Sequence, residues 1–265
     1  MKKFFIFLIP LLLINFSFAN AKTIDCILIK RGNKTLVKEG NGCNEYYSPN
    51  SSFKIPLAVI GFESKILKSR HNPVWKPQKP VTFLKYYHDL EQSPSSWMRF
   101  SVVWYSQVLT QKLGMKKFQM YVDKFNYGNK DLSGDIGKNN GLTEAWLSSS
   151  LKITPIEQIE FIEKLAKNEL PVSKKSQEQT KDLIKLMEES SWCNWWSIHG
   201  KTGSSDFDKA NRREGYFIGF GEKNGEIISF VIHVSGKIGD KSEEVGGIEA
   251  KRILMNKMIE KGIFN

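Results

Sequence analysis

Two short runs near the start, TIDCILIK and TLVK, alternate apolar and polar residues on either side of Gly32 and Asn33. A period of two flanking a glycine turn predicts an antiparallel hairpin over 23–38. After the polar stretch Tyr46 to Asn50 the spacing turns helical over about 51–67, and most of 73–191 keeps that period. The best-marked helix there has Thr154 as N-cap, Pro155 in the first helical position and Glu157 three residues past the cap. Its Ile156, Ile159, Ile162 and Ala166 line one apolar face. Another helix is predicted over 101–113, with Ser101 at its start and Gly114 at its end. Beyond Trp196 the period returns to two in SIHGKT (197–202), GYFIGFG (215–221) and IISFVIHV (227–234), which predicts three strands in a meander. An amphipathic helix over 248–259 then ends before Gly262. Strands at both ends with helices between them predict an α+β domain, an antiparallel five-stranded sheet flanked by helices with an inserted helical region.

The first 21 residues follow a different logic. Lys2 and Lys3 precede an apolar run over 4–18, and Ala19, Asn20 and Ala21 follow it. These are the three parts of a secretory signal peptide, with cleavage expected after Ala21. As a helix the run rises roughly 22 Å, short of the roughly 30 Å hydrocarbon core. No Cys stands at the cleavage point to take a lipid, so no stable membrane anchor is expected. Residues 22–265 are expected to form one exported domain.

Composition adds exclusions. At 265 residues, 40% hydrophobic and 25% charged, collagen, coiled coil and disorder are poor readings. The 39 Lys and Arg against 28 Asp and Glu give +11, but the cations are scattered and form no dense stripe, so nucleic acid is not an expected partner. In an oxidising compartment Cys26 and Cys43, beside a turn at Gly40 and Gly42, are expected to pair, leaving Cys193 over.

The four histidines have neither HExxH nor HxH spacing, so no metal site is expected. G-x-S-x-G, P-loop and GxGxxG patterns are also missing, and a nucleophile must be sought without a histidine base. A Ser with a Lys three residues on shares one helical face, where a neutral or carbamylated amine can take the hydroxyl proton. The spacing occurs twice, at Ser51 with Lys54 and at Ser149 with Lys152, about as often as chance allows. Ser51 enters the apolar stretch Phe53, Ile55, Leu57, Ala58, Val59, whereas Ser149 lies in a polar SSS run. Lys201-Thr202-Gly203 on a predicted strand presents Lys to one face and Thr to the other, with Gly allowing close approach of a substrate backbone. Alone, Ser101-Val102-Val103 reads as a helix start and Tyr127-Gly128-Asn129 as a turn.

Together, SSFK (51–54), SVV (101–103), YGN (127–129), AWL (145–147) and KTG (201–203) stand in the order and at about the spacing of the class D β-lactamases, the oxacillinases. The chain resembles that family over nearly all of 22–265. The resemblance implies the serine β-lactamase and penicillin-binding transpeptidase-like fold and hydrolysis of a small-molecule β-lactam of the oxacillin type. It implies Ser51 as nucleophile and Lys54, N6-carboxylated by carbon dioxide or bicarbonate, as general base, with no other cofactor. Ser101 would relay a proton to the lactam nitrogen, Val103 would wall the lysine carboxyl group, and Trp146 would hydrogen-bond it. Lys201 and Thr202 would hold the substrate carboxylate beside Gly203, joined by a cation of the last helix, for which Arg252 fits better by spacing than Lys251. The backbone N–H groups of Ser51 and Ser204 would form the oxyanion hole, and Tyr127 and Asn129 would shape a loop over the site. A β-lactam target with export implies a bacterial periplasm. A non-hydrolytic penicillin-binding sensor and a D,D-peptidase share the nucleophile and stand as alternatives. The sequence does not address oligomeric state.

Overall fold

The computed structural model describes residues 23–78, 88–186, 196–205, 212–237 and 246–264. The expected signal over 1–21 and the third cysteine, Cys193, lie outside them. Among the described residues no helix is long and apolar enough to cross a membrane.

Five antiparallel strands form one sheet in the order β2-β1-β5-β4-β3. They are β1 (Thr23–Arg31), β2 (Lys34–Glu39), β3 (Ser197–Ser205), β4 (Arg212–Lys223) and β5 (Glu226–Lys237). The hairpin and the meander form as predicted. Long-range pairing of β1 with β5, Ile27 opposite Ile232 and Ile29 opposite Phe230, joins the two ends of the chain and leaves β3 at an edge.

Alternation along the strands serves two cores. Ile27, Ile29, Phe217, Phe230 and Ile232 face the last helix, α8 (Gly246–Glu260), through its Ala250, Leu254 and Met258. Leu28, Tyr216, Ile218, Phe220 and Val231 face the inserted helices. At the centre of the insertion lies α1 (Lys54–Glu63), buried from Lys54 through Phe62, as expected of a helix apolar all round. Around it stand α2 (Pro94–Phe100), α3 (Val103–Leu113), α4 (Met115–Phe125), the short α5 (Gly141–Glu144), α6 (Pro155–Ala166) and α7 (Lys174–Leu183). The start of α6 is the predicted capping box: Thr154 Oγ1 accepts from Glu157 N at 3.1 Å while Glu157 Oε2 accepts from Thr154 N at 2.9 Å.

Two helix starts differ from expectation, and both matter for chemistry. The helix expected from Ser51 begins instead as a 3-10 turn, Asn50–Phe53, and becomes α-helical at Lys54. The helix expected from Ser101 begins at Val103, because Ser101 closes α2 in the left-handed region (φ 58, ψ 34), its N–H bonded to Trp97 O. The N-cap of α3 is thus Val102 rather than Ser101.

Cys26 and Cys43 form the expected disulfide, tying β1 to the 3-10 turn Gly42–Asn44.

Candidate active site

In a 3-10 turn residues i and i+3 eclipse one another. The Asn50–Phe53 turn therefore stacks Ser51 against Lys54, and Lys54 Nζ lies 3.3 Å from Ser51 Oγ. Ser51 is half-buried and Lys54 has no solvent exposure. Burial, and secondly the charge of Lys201, hold the Lys54 amine well below the ordinary lysine range. A neutral amine beside a hydroxyl is a base in position.

The other Ser-x-x-Lys pair is not built this way. Ser149 Oγ donates to Asp135 Oδ1 at 2.8 Å, and Lys152 is half-buried next to Leu151. Burial of the lysine separates two pairs that share one spacing.

Strand β3 brings the second lysine. Lys201 is 6% exposed, and burial pushes it down to about 7. Its Nζ donates to Thr202 O at 2.8 Å and Thr202 Oγ1 at 3.3 Å. Next to it, Gly203 lies so close to the Asn50–Phe53 turn that a Cβ there would sit 2.8 Å from Pro49 O and 3.0 Å from Ser52 N. Even Ser51 N would be only 3.4 Å from that Cβ, so the absence of a side chain lets β3 run along Ser51. Behind the strand, α8 approaches as closely. A Cβ at Gly247 would meet Gly203 O at 2.6 Å, and Gly247 N donates to Ser204 Oγ at 3.0 Å.

Trp146 packs against the same turn. It is fully buried, stacks on Phe53 with ring centroids 5.7 Å apart, and accepts at its carbonyl from Asn50 N at 3.0 Å and Ser48 Oγ at 3.2 Å. Its indole Nε1–H is buried with no hydrogen-bond partner among the described residues. Such a donor costs free energy unless something accepts from it.

Ser101 is half-buried on the link between α2 and α3, held out of helical geometry by its left-handed backbone. Val102 is fully buried, Val103 half-buried, and α3 packs on α1.

The other three expected site residues are Tyr127, Asn129 and Arg252. Tyr127 is buried beneath the Asn50–Phe53 turn, its ring edge-on to Phe53 at 5.2 Å and its hydroxyl donating to Gln158 Oε1 at 3.2 Å. Burial raises its pKa and keeps the phenol neutral. That position supports the turn from below and offers no surface to a substrate. Asn129 is exposed and braces one loop against another: its Nδ2 donates to Ser150 O at 2.8 Å and its Oδ1 accepts from Lys152 N at 3.0 Å. Arg252 has a side chain 55% exposed, 3.5 Å from Glu249 Oε1. It sits roughly 140° around α8 from Gly247, which meets β3, whereas Lys251 shares the Gly247 face. Lys251 Nζ lies 5.8 Å from the centre of the Phe217 ring.

Gln158 was not anticipated. It is fully buried on α6 and donates through Nε2 to Ser52 Oγ at 3.2 Å. A signal for it existed, since it falls on the apolar stripe of the helix, three and four residues before Phe161 and Ile162.

Among the described residues no group of three His, Cys, Asp or Glu side chains converges as a metal site would require. His233 pairs with Asp25 at 2.9 Å and His199 bonds Lys181 O at 2.9 Å.

Comparison with known proteins agrees with this arrangement. The penicillin binding protein transpeptidase domain matches residues 17–258. The chain is 40% identical over 250 residues to Beta-lactamase OXA-9 of Klebsiella pneumoniae, covering 88% of this chain and 86% of that protein. It is 38% identical over 211 residues to Beta-lactamase OXA-1 of Escherichia coli, covering 79% and 74% respectively. The crystal structure of the OXA-427 class D β-lactamase superposes with a TM-score of 0.79 at 37% identity, covering 89% of this chain and 97% of that one. With its Asn50–Phe53 turn, buried lysines and close-packed Gly203 strand in this order, the chain belongs to the class D β-lactamases within the penicillin-binding transpeptidase family.

Proposed function

We propose that this protein is a serine hydrolase that opens the β-lactam ring of oxacillin-type penicillins through an acyl-enzyme on Ser51, and so confers resistance to them. The observation that carries the reading is the solvent-free Lys54 amine, its pKa held well below the ordinary lysine range by burial, 3.3 Å from the Ser51 hydroxyl.

Ser51 Oγ adds to the lactam carbonyl as its proton leaves toward Lys54. Negative charge develops on the carbonyl oxygen, where the backbone N–H groups of Ser51 and Ser204, on elements packed at Gly203, can both donate. Lys201 and Thr202 hold the substrate carboxylate, and Ser101 passes a proton to the lactam nitrogen as the ring C–N bond breaks. Water then cleaves the Ser51 ester and restores the hydroxyl.

The residues fit a carboxyl group on Lys54. Only a neutral amine adds carbon dioxide, and the orphaned Trp146 N–H is a donor waiting for an anionic oxygen. Carboxylated, Lys54 presents that oxygen as general base for both acylation and deacylation. Residues 1–21 are proposed as the cleaved signal that delivers residues 22–265 to a bacterial periplasm.

The test is turnover of nitrocefin and oxacillin by purified residues 22–265, with and without bicarbonate, followed by intact mass. Bicarbonate-stimulated turnover with no lasting adduct is expected, and Ser51→Ala should lose both turnover and labelling. A stable adduct without turnover would instead favour the penicillin-binding sensor or peptidase. Labelling that survives in Ser51→Ala would remove Ser51 as nucleophile.

A further inference from the structure

Beneath the nucleophile turn runs a buried chain of hydrogen bonds in which every donor points the same way. Tyr127 OH donates to Gln158 Oε1 at 3.2 Å, Gln158 Nε2 donates to Ser52 Oγ at 3.2 Å, and Ser52 Oγ donates to Pro49 O at 2.6 Å. Pro49 O also accepts from Ser52 N at 3.0 Å and is the atom that a Cβ at Gly203 would strike first. One relay thus starts at the turn after α4, crosses α6 and ends on the carbonyl that spaces the nucleophile turn from β3.

An amide on the buried stripe of a helix costs free energy unless both of its ends are satisfied. Both ends of Gln158 are, and each is satisfied by a side chain in or beneath the catalytic motifs. Across the turn, Asn50 N is bound to Trp146 O at 3.0 Å. Ser51 is therefore flanked by two anchored residues, Asn50 toward Trp146 and Ser52 toward Gln158.

We propose that Gln158 is a positioning residue for the hydrolysis: through Ser52 it holds the Pro49–Ser52 turn so that Ser51 Oγ stays against Lys54 and beside β3. This rests on the reading of Ser51 as the nucleophile of a β-lactamase. Gln158 acts on Ser51 through Ser52 and meets no substrate itself. Its loss should slow acylation while leaving binding by Lys201 and Thr202 in place.

The test measures kcat, KM and thermal midpoint with benzylpenicillin for the wild-type chain, Gln158→Met, Ser52→Ala, Ser52→Thr and the Gln158→Met/Ser52→Ala double variant. Misplacement of a nucleophile by a fraction of an ångström predicts roughly 10- to 100-fold lower kcat in Gln158→Met and Ser52→Ala, with KM within about threefold of wild type. Ser52→Thr keeps a hydroxyl at that position and should recover most of the loss. The double variant should be no slower than the slower single one, as for two links of one relay. If Gln158→Met fails to fold, the two Ser52 variants carry the comparison. Wild-type kcat in Ser52→Ala, or a Ser52→Thr no better than Ser52→Ala, would overturn the assignment. Without turnover in the wild-type chain, the β-lactamase reading and this inference would both fall.

Discussion

Lys201 lowers the pKa of Lys54, adding its charge to the larger effect of burial. Two lysines thus share one dry site, each disfavoured as a cation, and the proposed chemistry divides them: it needs Lys54 neutral and Lys201 charged.

A dependence of binding on pH follows. Burial brings Lys201 down to about 7 from an ordinary 10.5. In the uncarboxylated protein its charge is lost as pH rises through about 7, so KM should climb on the alkaline side while kcat changes less. An anionic carboxyl on Lys54 favours the charged form of Lys201. Added bicarbonate should therefore move that rise in KM to higher pH. Steady-state kinetics from pH 6 to 9, with and without bicarbonate, check this, and a KM independent of pH would count against Lys201 as the carboxylate anchor.

The same shift has a sign for stability. Between about 7 and 10.5 the unfolded chain binds a proton at Lys201 that the folded chain does not, so this group's contribution to stability rises with pH across that window. Lys54, also depressed, acts in the same direction. Urea midpoints measured from pH 7 to 9.5 should rise more steeply for the wild-type chain than for Lys201→Met. Equal slopes would mean that Lys201 titrates alike in both states.

Trp146→Phe keeps a ring to stack on Phe53 and removes the unpartnered indole N–H. A hydrogen bond to a charged group is worth about 1.5–3 kcal/mol, so retention of a carboxyl group on Lys54 should weaken by roughly 10- to 100-fold. Activity in ambient buffer should drop and return with added bicarbonate, with the thermal midpoint little changed. Indifference to bicarbonate would argue that the indole serves packing alone.

Gly203→Ala probes the distance between β3 and the proposed nucleophile. The atoms the new methyl would meet, Pro49 O and Ser52 N, are backbone and cannot rotate away. The strand and the turn must separate, and kcat/KM should fall by about 100-fold or more while the protein still folds. Near-wild-type kinetics would show that the site tolerates a wider spacing.

Loss of the disulfide tests a part of the fold. Cys26 and Cys43 close a loop with a sequence separation of 17, and removing that link should cost about 3 kcal/mol. For a chain of this size the thermal midpoint of Cys26→Ser/Cys43→Ser should fall by about 6–12 °C. An unchanged midpoint would mean that the pair is reduced in the protein as prepared.

Much of the architecture was legible because local patterns encode it. A period of two marked the hairpin and the meander, and Thr154, Pro155 and Glu157 announced α6 through contacts within one turn of chain. Where the backbone conformation depended on neighbours, the pattern misled. Ser101 looked like a helix cap, yet it terminates the preceding helix in the left-handed region. Spacing alone could not set the side of α8 on which Arg252 stands; the approach of Gly247 to Gly203 fixes that rotation, with Arg252 3.5 Å from Glu249 Oε1.

By itself the amino-acid sequence determined the element types, the order of the motifs and the residues able to do the chemistry, because periodicity and spacing are properties of neighbouring residues. It could not choose between Ser51 with Lys54 and Ser149 with Lys152 on spacing alone, nor show that Gln158 reaches Ser52. Tertiary structure decided those points. A lysine becomes a base, and a buried glutamine a link, only where segments a hundred residues apart exclude water around them.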